Sequence, residues 1–233
     1  MPEWGNGKGT TSMVRTNYDR LLRGLKDDVL EMGSMVEKAV ERAVESLKKR
    51  DLELGRKVIV EDININKKRF EIEEKCLQLI ATQQPLASDL RTIVSVLHIT
   101  VDLERMGDHA EGIAKISIII GDEPLIKPLI DIPHMQAKAI EMLRRALDSF
   151  INQDVEAAKQ ICREDDEVDA LYEQVYRELL TYMLQDARVI NQATYLTWAA
   201  HNLERIADRS TNICERVVFT ATGKMEEIGA SKY

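Results

Sequence analysis

Four pairs of oxygen-bearing side chains recur in the sequence, and the two members of each pair lie four residues apart. The pairs are Asp62 with Asn66, Glu104 with Asp108, Asp165 with Asp169, and Glu204 with Asp208. A spacing of four residues places both side chains on one face of an α-helix. Carboxylates that gather at one place need shared protons or a cation, and all-oxygen ligand sets favour Mg²⁺, Mn²⁺, Ca²⁺ or iron. The eight residues are therefore candidate metal ligands.

Helices must position these side chains, and the composition predicts helices throughout. The 233 residues include only 11 Gly, 5 Pro and 5% aromatics, which is too few for a β-sandwich or barrel. Turn-forming residues divide the chain into helices near 83–85, 121–133 and 185–191. Weaker breaks lie near 50–51 and 152–154. The six predicted helices cover approximately 17–50, 52–82, 87–120, 133–151, 154–184 and 190–222.

The two halves of the sequence resemble each other. VDLERMGDHAEGI at 101–113 matches HNLERIADRSTNI at 201–213, and VEDININ at 60–66 parallels REDDEVD at 163–169. An internal repeat of about 100 residues predicts an all-α protein of two tandem antiparallel three-helix bundles. The expected divisions are a mobile N-terminal tail (1–15), a first bundle (16–121), a Pro-rich connection (122–132) and a second bundle (133–222).

Hairpin geometry brings the paired side chains of each repeat to one level. If the second and third helices turn around position 85, Asp62 and Asp108 each lie 23 residues from the turn. Asn66 and Glu104 each lie 19 residues from it. In the second repeat, positions 165 with 208 and 169 with 204 are both centred on 186.5, inside the predicted turn. Because proline and polar residues alone locate the turns, the agreement is independent of the acids and predicts one metal site per repeat.

Other interpretations of the acids stay open. A single Glu-x-x-x-Asp on a helix is usually a solvated face, and Arg105 and Arg205 could pair with the acids at the surface. A carboxylate-bridged metal enzyme, a metal-storage protein and a metal-free helical adaptor are the alternatives. The sequence contains no phosphate-binding loop, nucleophile elbow or HExxH motif, so we expect a protein that is not an enzyme.

Charge and hydropathy limit the partners and the cellular location that the sequence predicts. A net charge of −8 argues against nucleic acid as the main partner. The longest apolar run, at 92–101, holds ten residues, whereas a membrane span needs about 20. With no signal-peptide pattern at the start, we expect a cytoplasmic protein. The three cysteines, Cys76, Cys162 and Cys214, are predicted to be buried free thiols.

Several segments together resemble the PhoU family of phosphate-transport regulators. The segments are MGSMVEKAV (32–40), VIVEDININ (58–66), QPLASDLR (84–91), LERMGDHAEGI (103–113), REDDEVDALY (163–172), LLTYML (179–184) and LERIADRSTNIC (203–214). They occur in order and at matching intervals over about residues 17–222, which makes the resemblance specific.

The resemblance implies a non-enzymatic negative regulator of phosphate uptake and phosphate-starvation signalling, often a homodimer. Its implied partners are a PhoR-type sensor histidine kinase and the Pst phosphate ABC transporter ATPase, so membrane association would be peripheral at most. It also implies metal clusters at paired acidic motifs, which correspond here to the eight residues above, with iron, Mn, Mg or Zn as the ion. Asn66 replaces an acid of the motif, so we expect weaker loading of the first site. Ala207 stands where the first repeat has Gly107, and we expect that change to affect only helix packing.

Overall fold

The computed structural model describes residues 8–226 and 228, with side chains from residue 18 onward. The described residues form six α-helices and no β-strand, so the all-α prediction is confirmed. The helices are α1 (Lys8–Lys49), α2 (Leu52–Gln83), α3 (Ala87–Ile120), α4 (Asp131–Asn152), α5 (Val155–Gln185) and α6 (Ile190–Thr222), with a 3₁₀ turn at Ala187–Val189.

Five helices begin and end within about two residues of their predicted positions, and α1 differs. It begins at Lys8 rather than near residue 17, so residues 8–15 of the expected tail are helical. Residues 1–7 of that tail lie outside the described residues. Once a helix has formed, each added residue gains a hydrogen bond at little cost, and this segment contains no proline to stop it.

Equivalent side chains start the second helix of each repeat. The Asp51 carboxylate accepts a hydrogen bond from the backbone N–H of Leu54 (2.9 Å), and the Asp154 carboxylate accepts one from Ala157 (3.0 Å). Both aspartates are N-caps in extended backbone conformation, which satisfies one of the free N–H groups at a helix start. The repeat seen in the sequence therefore extends to the local signals that set the helix boundaries.

The six helices pack in two layers. Helices α2, α3, α6 and α5 lie side by side in that order, and α1 and α4 pack behind them. Helices α1–α3 form one bundle and α4–α6 the other, and the bundles join through α3 with α6 and α1 with α4. Helix α3 is buried on several sides, with Ile93, Val96, Ile99 and Leu103 fully inaccessible to solvent. One continuous apolar core therefore runs through both repeats.

Polar contacts at equivalent positions of the two repeats hold α3 against α6. The Arg209 guanidinium donates to Asp102 Oδ1 at 2.9 Å, and His109 Nδ1 lies 2.8 Å from Asn202 Oδ1. Positions 102 and 202 correspond in the repeat, as do 109 and 209, so an approximate two-fold axis relates the contacts. Burial raises the pKa of Asp102, while its partners, Asn212 and Arg209, oppose that rise.

The cysteines and the hydropathy of the helices agree with the sequence. Cys76, Cys162 and Cys214 are all free and buried, as the sequence predicts. In the described part of the chain, every helix is too short or too polar to span a bilayer.

Candidate functional site

The eight predicted residues lie on two pairs of neighbouring helices, and the acids of each pair interact across the helix–helix contact, which we call a groove. The first groove lies between α2 and α3, and the second groove lies between α5 and α6. The first groove contains Asp62, Asn66, Glu104 and Asp108, and the second contains Asp165, Asp169, Glu204 and Asp208.

Gly107 allows α2 and α3 to approach each other closely at the first groove. A Cβ atom added at Gly107 would lie 3.2 Å from Asp62 Oδ1 and 3.1 Å from Ile65 Cδ1, which is tighter than ordinary packing. Asp62 is therefore level with the 107–108 segment of α3, where the hairpin geometry predicted it. The missing side chain brings the carboxylates of the two helices together.

Hydrogen bonds and ion pairs hold most of the first groove. Asn66 Nδ2 donates to Asp62 Oδ2 at 2.8 Å, so the amide contacts the aspartate on its own helix. Arg69 Nη1 donates to Glu104 Oε1 at 3.0 Å. Arg105 Nη1 donates to Asp108 Oδ2, also at 3.0 Å. Two guanidinium groups thus neutralise part of the negative charge in this groove.

Burial and the negative charges of α3 raise the pKa of Asp62 in the first groove. Burial is the main cause that raises the pKa of Asp62, and the carboxylates of Glu111, Asp108 and Glu104 add to it, in that order. The hydrogen bond from Asn66 opposes the rise. All three acids of α3, including the predicted Glu104 and Asp108, are therefore close enough to Asp62 to repel its charge.

The second groove concentrates more uncompensated charge than the first. Burial raises the pKa of Asp165 to about 7, and Asp169, Asp208 and Glu204 add to the rise. Burial also raises the pKa of Glu204 to about 7, where Arg205 opposes the rise and Asp169 and Asp208 add to it. The four predicted carboxylates of this repeat interact with one another, as expected if the hairpin geometry brings them to one level.

The basic side chains beside the second groove leave most of the negative charge of Glu204 uncompensated. Arg205 Nη1 pairs with Asp208 Oδ2 at 2.9 Å. His201 Nδ1 lies 3.1 Å from Glu204 Oε2 without hydrogen-bond geometry, and burial and the nearby Arg205 lower the pKa of His201. Tyr172 occupies the position that corresponds to Arg69 in the first repeat, so Glu204 has no counterpart of the guanidinium on Glu104.

Each groove contains two buried carboxylate oxygens without a hydrogen-bond partner. They are Asp62 Oδ1 and Glu104 Oε2 in the first groove, and Asp165 Oδ1 and Glu204 Oε2 in the second. These four residues occupy equivalent positions in the two repeats. A buried carboxylate oxygen without a partner is destabilising, and a bound cation or a proton removes that penalty. The oxygen-only ligand chemistry therefore fits a hard or borderline cation.

The described side chains do not form a ready-made metal cluster. Among the described residues, no group of three or more His, Cys, Asp and Glu side chains is arranged to hold a metal ion. Metal loading at the eight residues remains a prediction.

Several residues that shape the grooves were not predicted from the sequence. They are Arg69, Glu111, Tyr172 and His201. The internal repeat could have revealed Arg69 and Tyr172, because these two residues align when the comparison of α2 with α5 is extended. That pairing distinguishes the two grooves by charge.

The fold and grooves together define a class of helical protein with two tandem three-helix repeats and an acidic groove in each. The PhoU domain family matches residues 29–117 and 132–217, which is one match per repeat. The chain belongs to the PhoU family.

Individual relatives match over nearly the whole chain. A phosphate-specific transport system accessory protein PhoU homolog from Clostridium acetobutylicum is 37% identical, over 93% of this chain and 99% of its own length. The homolog from Aquifex aeolicus is 41% identical over 88% and 92% of the two chains. The accessory protein PhoU from Escherichia coli is 34% identical over 91% and 88%.

Known structures show the same fold. The crystal structure of PhoU from Pseudomonas aeruginosa superposes with a TM-score of 0.84 at 35% identity, covering 89% of this chain and all of that one. The phosphate transport system regulatory protein PhoU from Streptococcus pneumoniae also gives 0.84, at 31% identity and over 90% and 99% of the two chains.

Proposed function

We propose that this protein is an accessory regulator of phosphate transport that restrains the phosphate-starvation response. Membership of the PhoU family over both repeats is the observation that carries the proposal. Relatives aligned over about nine-tenths of the chain have names that describe an accessory protein of the phosphate-specific transport system. We propose the Pst transporter ATPase and a PhoR-type sensor histidine kinase as its direct partners, with a regulatory rather than catalytic role at the cytoplasmic side of the transporter.

Deletion of the gene tests the regulatory role. We expect phosphate-starvation genes to be expressed under phosphate-rich growth, or phosphate uptake to change, and the wild-type gene to restore both. Unchanged expression and uptake in a strain without a second copy would contradict the proposal. Binding of the purified chain to the transporter ATPase and to the cytoplasmic part of the kinase tests each partner separately.

We further propose that each groove binds a metal ion. The support is the pair of buried carboxylate oxygens without a hydrogen bond in each groove and the excess negative charge of the second groove. Asp165, Asp169, Glu204 and Asp208 would hold the ion in the second repeat. Asp62, Asn66, Glu104 and Asp108 would hold it in the first. A bound cation would supply positive charge that relieves carboxylate repulsion and ties each hairpin together.

Elemental analysis of protein purified without chelator tests metal binding directly, followed by calorimetric titration with Mn²⁺, Fe³⁺, Mg²⁺ and Zn²⁺. The double variant Asp165→Asn with Glu204→Gln should lose the second site and keep the first. Glu156→Gln, which changes an exposed acid outside both grooves, serves as the control and should bind as the wild type does. If none of these ions binds the wild-type protein, the metal-free adaptor is the correct interpretation.

A further inference from the structure

Four aromatic side chains and one histidine form a partly exposed cluster on α5 and α6, beside the second groove. The ring centroids of Tyr172 and His201 are 5.8 Å apart, and those of Tyr195 and Trp198 are 5.6 Å apart. Trp198 lies one helical turn from His201, and Tyr176 lies one turn from Tyr172. We call these five residues the aromatic cluster. Trp198 is 54% exposed and Tyr176 is 45% exposed. Because Trp and Tyr are enriched at the energetic centres of protein interfaces, the cluster is a candidate binding surface.

The fold itself does not require the aromatic cluster. The equivalent positions of the first repeat carry Arg69, Glu73, Ser95, His98 and Val101, so none of the four aromatic side chains has an aromatic counterpart there. The helices of the two repeats nevertheless pack in the same arrangement. The exposed rings are therefore a property of the surface of the second repeat, and folding does not account for them.

In the first repeat, an arginine of the chain itself binds the glutamate of the groove. Arg69 Nη1 donates to Glu104 Oε1 at 3.0 Å, and Arg69 Nε donates to Glu73 Oε1 at 2.7 Å. The guanidinium carbon also lies 5.6 Å from the centre of the Phe70 ring, within the range of a cation–π contact. The hairpin geometry therefore accepts a guanidinium at the level of this glutamate, with carboxylates and an aromatic ring as its neighbours.

The second repeat has the equivalent glutamate without the arginine. Tyr172 replaces Arg69, and the carboxylate of Glu204 is, after burial, the next cause that raises the pKa of Tyr172, so the two side chains are close. Among the described residues, Glu204 Oε2 has no hydrogen-bond partner, and the nearby Arg205 pairs with Asp208 at 2.9 Å. The Glu204 side chain is 19% exposed, so a ligand can reach it from solvent. A carboxylate beside exposed aromatic rings suits a guanidinium, which donates paired hydrogen bonds and stacks on rings.

We propose that Glu204 and the aromatic cluster bind an arginine side chain that a partner protein presents. The guanidinium would pair with Glu204 as Arg69 pairs with Glu104, and the rings of Tyr172 and Trp198 would contact its planar face and alkyl stem. Lysine is the poorer ligand, because an ammonium group forms no paired hydrogen bonds to a carboxylate and does not stack. The excess negative charge of the second groove selects a cationic protein segment over nucleic acid. The inference depends on neither the regulatory role nor metal binding, although a metal ion in the second groove would compete for Glu204.

Titration of the full chain with short peptides, followed by nuclear magnetic resonance, tests the ligand chemistry. The probe is acetyl-Leu-Arg-Leu-amide, and the controls contain Lys or the uncharged isostere citrulline in place of Arg. The buffer contains a chelator and is held at pH 8, above the pKa of Glu204, which is about 7. The indole N–H signal of Trp198 should shift with the arginine peptide, with a dissociation constant on the order of 1 mM. The two control peptides should bind at least about tenfold more weakly.

Variants of the chain test the site. Tyr172→Arg places a guanidinium beside Glu204 as Arg69 does beside Glu104, so it should abolish binding of the arginine peptide. Glu204→Gln and Trp198→Ala should each raise the dissociation constant at least about tenfold, with the Glu204→Gln titration read from the Trp198 signal and the Trp198→Ala titration from the tyrosine ring signals. His98→Ala is the matched control, since His98 is the exposed counterpart of Trp198 in the first repeat, and it should bind as the wild type does. Circular dichroism verifies that each variant folds.

The outcomes separate this inference from the proposed function. No shift of the Trp198 signal at about 20 mM arginine peptide, equal binding of the lysine peptide, or unchanged binding by Tyr172→Arg would overturn the arginine site. If the purified transporter ATPase binds the chain but the arginine peptide does not, the proposed partner stands and the arginine site fails. If the peptide binds as expected but the ATPase does not, the arginine site stands and that partner fails.

Discussion

Arg69 and Tyr172 occupy equivalent positions in the two repeats, and this difference gives the grooves different charge. The Arg69 guanidinium binds Glu104 in the first groove, whereas Glu204 in the second groove lies beside His201 and has no equivalent guanidinium hydrogen bond among the described residues. Asn66, where the second repeat has Asp169, removes a further negative charge from the first groove. Both differences should weaken cation binding in the first groove and strengthen it in the second.

The two grooves should therefore bind metal unequally. We expect the second groove to load first, and Asn66→Asp to raise the affinity of the first groove roughly tenfold, about 1.4 kcal/mol. Arg69→Tyr should raise it further, because the cation that competes for Glu104 is removed. Calorimetric titration measures the two affinities, with Tyr172→Arg as the reciprocal variant that should weaken the second groove. Equal wild-type affinities with no gain from either change would show that charge does not control loading.

The metal-free protein should become less stable as the pH rises from about 4 to about 7. The pKa values of Asp165 and Glu204 are both about 7 in the folded chain, against about 4 when unfolded. Between these values the folded state binds more protons, so the free energy of unfolding falls with increasing pH. Because Asp165 and Glu204 are only partly buried, solvent screens their charges and we expect the loss to be on the order of 2 kcal/mol.

Urea unfolding in the presence of a chelator, at several pH values, measures this effect. The variant Asp165→Asn with Glu204→Gln contains neither acid, so the difference between the two proteins isolates their titration. A wild-type pH profile parallel to that of the variant would contradict the prediction.

Among the structural elements, the α2–α3 hairpin has a closer helix–helix contact at Gly107 than a side chain would allow without tight packing. The equivalent α5–α6 hairpin has an alanine at that position. A Cβ at Gly107 would contact Asp62 and Ile65 more tightly than ordinary packing allows, whereas α6 has Ala207, buried, at the equivalent position. The sequence comparison identified this difference as one of helix packing. In the structure it also sets the position of a groove carboxylate.

Gly107→Ala should lower the free energy of unfolding by about 1 kcal/mol, because the overpacking penalty exceeds the gain in helix propensity. Gly24→Ala is the control, since a Cβ there meets no atom within 4 Å and should stabilise the chain by about 0.5–1 kcal/mol. Thermal and urea unfolding measure both variants. A stabilised Gly107→Ala protein would mean that α2 and α3 separate without cost.

At the scale of the whole molecule, α3 and α6 join the two bundles through a shared core and buried polar contacts, so we expect the bundles to unfold together. Asp102 from the first repeat is held by Arg209 and Asn212 from the second. The approximate two-fold axis between α3 and α6 places His109 and Asn202 in the matching contact. A change on either side of this junction should therefore affect both bundles together.

Arg209→Leu should reduce the free energy of unfolding by about 3 kcal/mol, because it leaves the buried Asp102 carboxylate without its cation. Arg177→Leu is the control, since its pair with Glu173 is exposed and should be worth less than about 0.5 kcal/mol. Unfolding of both repeats in a single transition, followed by a probe in each, would support one cooperative body. A loss below about 1 kcal/mol for Arg209→Leu would show that Asp102 is well solvated.

The helices, their boundaries and the repeat were predictable from the sequence because local interactions determine them. Asp51 and Asp154 cap their own helices, and apolar spacing identifies the faces that must be buried. The level of the acids followed from helix rise and turn position alone. The start of α1 was wrong by about nine residues, since no local signal marks where helix propagation stops.

The partners of the acids depend on how the helices pack and were not predictable from local sequence. Arg69 reaches Glu104 from another helix, and Asp102 meets Arg209 from another repeat, at separations of 35 and 107 residues. Such contacts depend on helix rotation and on the packing of α3 against α6, which helical periodicity does not specify. Local sequence patterns were therefore sufficient to predict the fold class and the repeat, and helix rise predicted the level of the acids along each hairpin. The packing decided how their charges are compensated, because electrostatic interactions depend on distances and burial that arise only when distant helices meet.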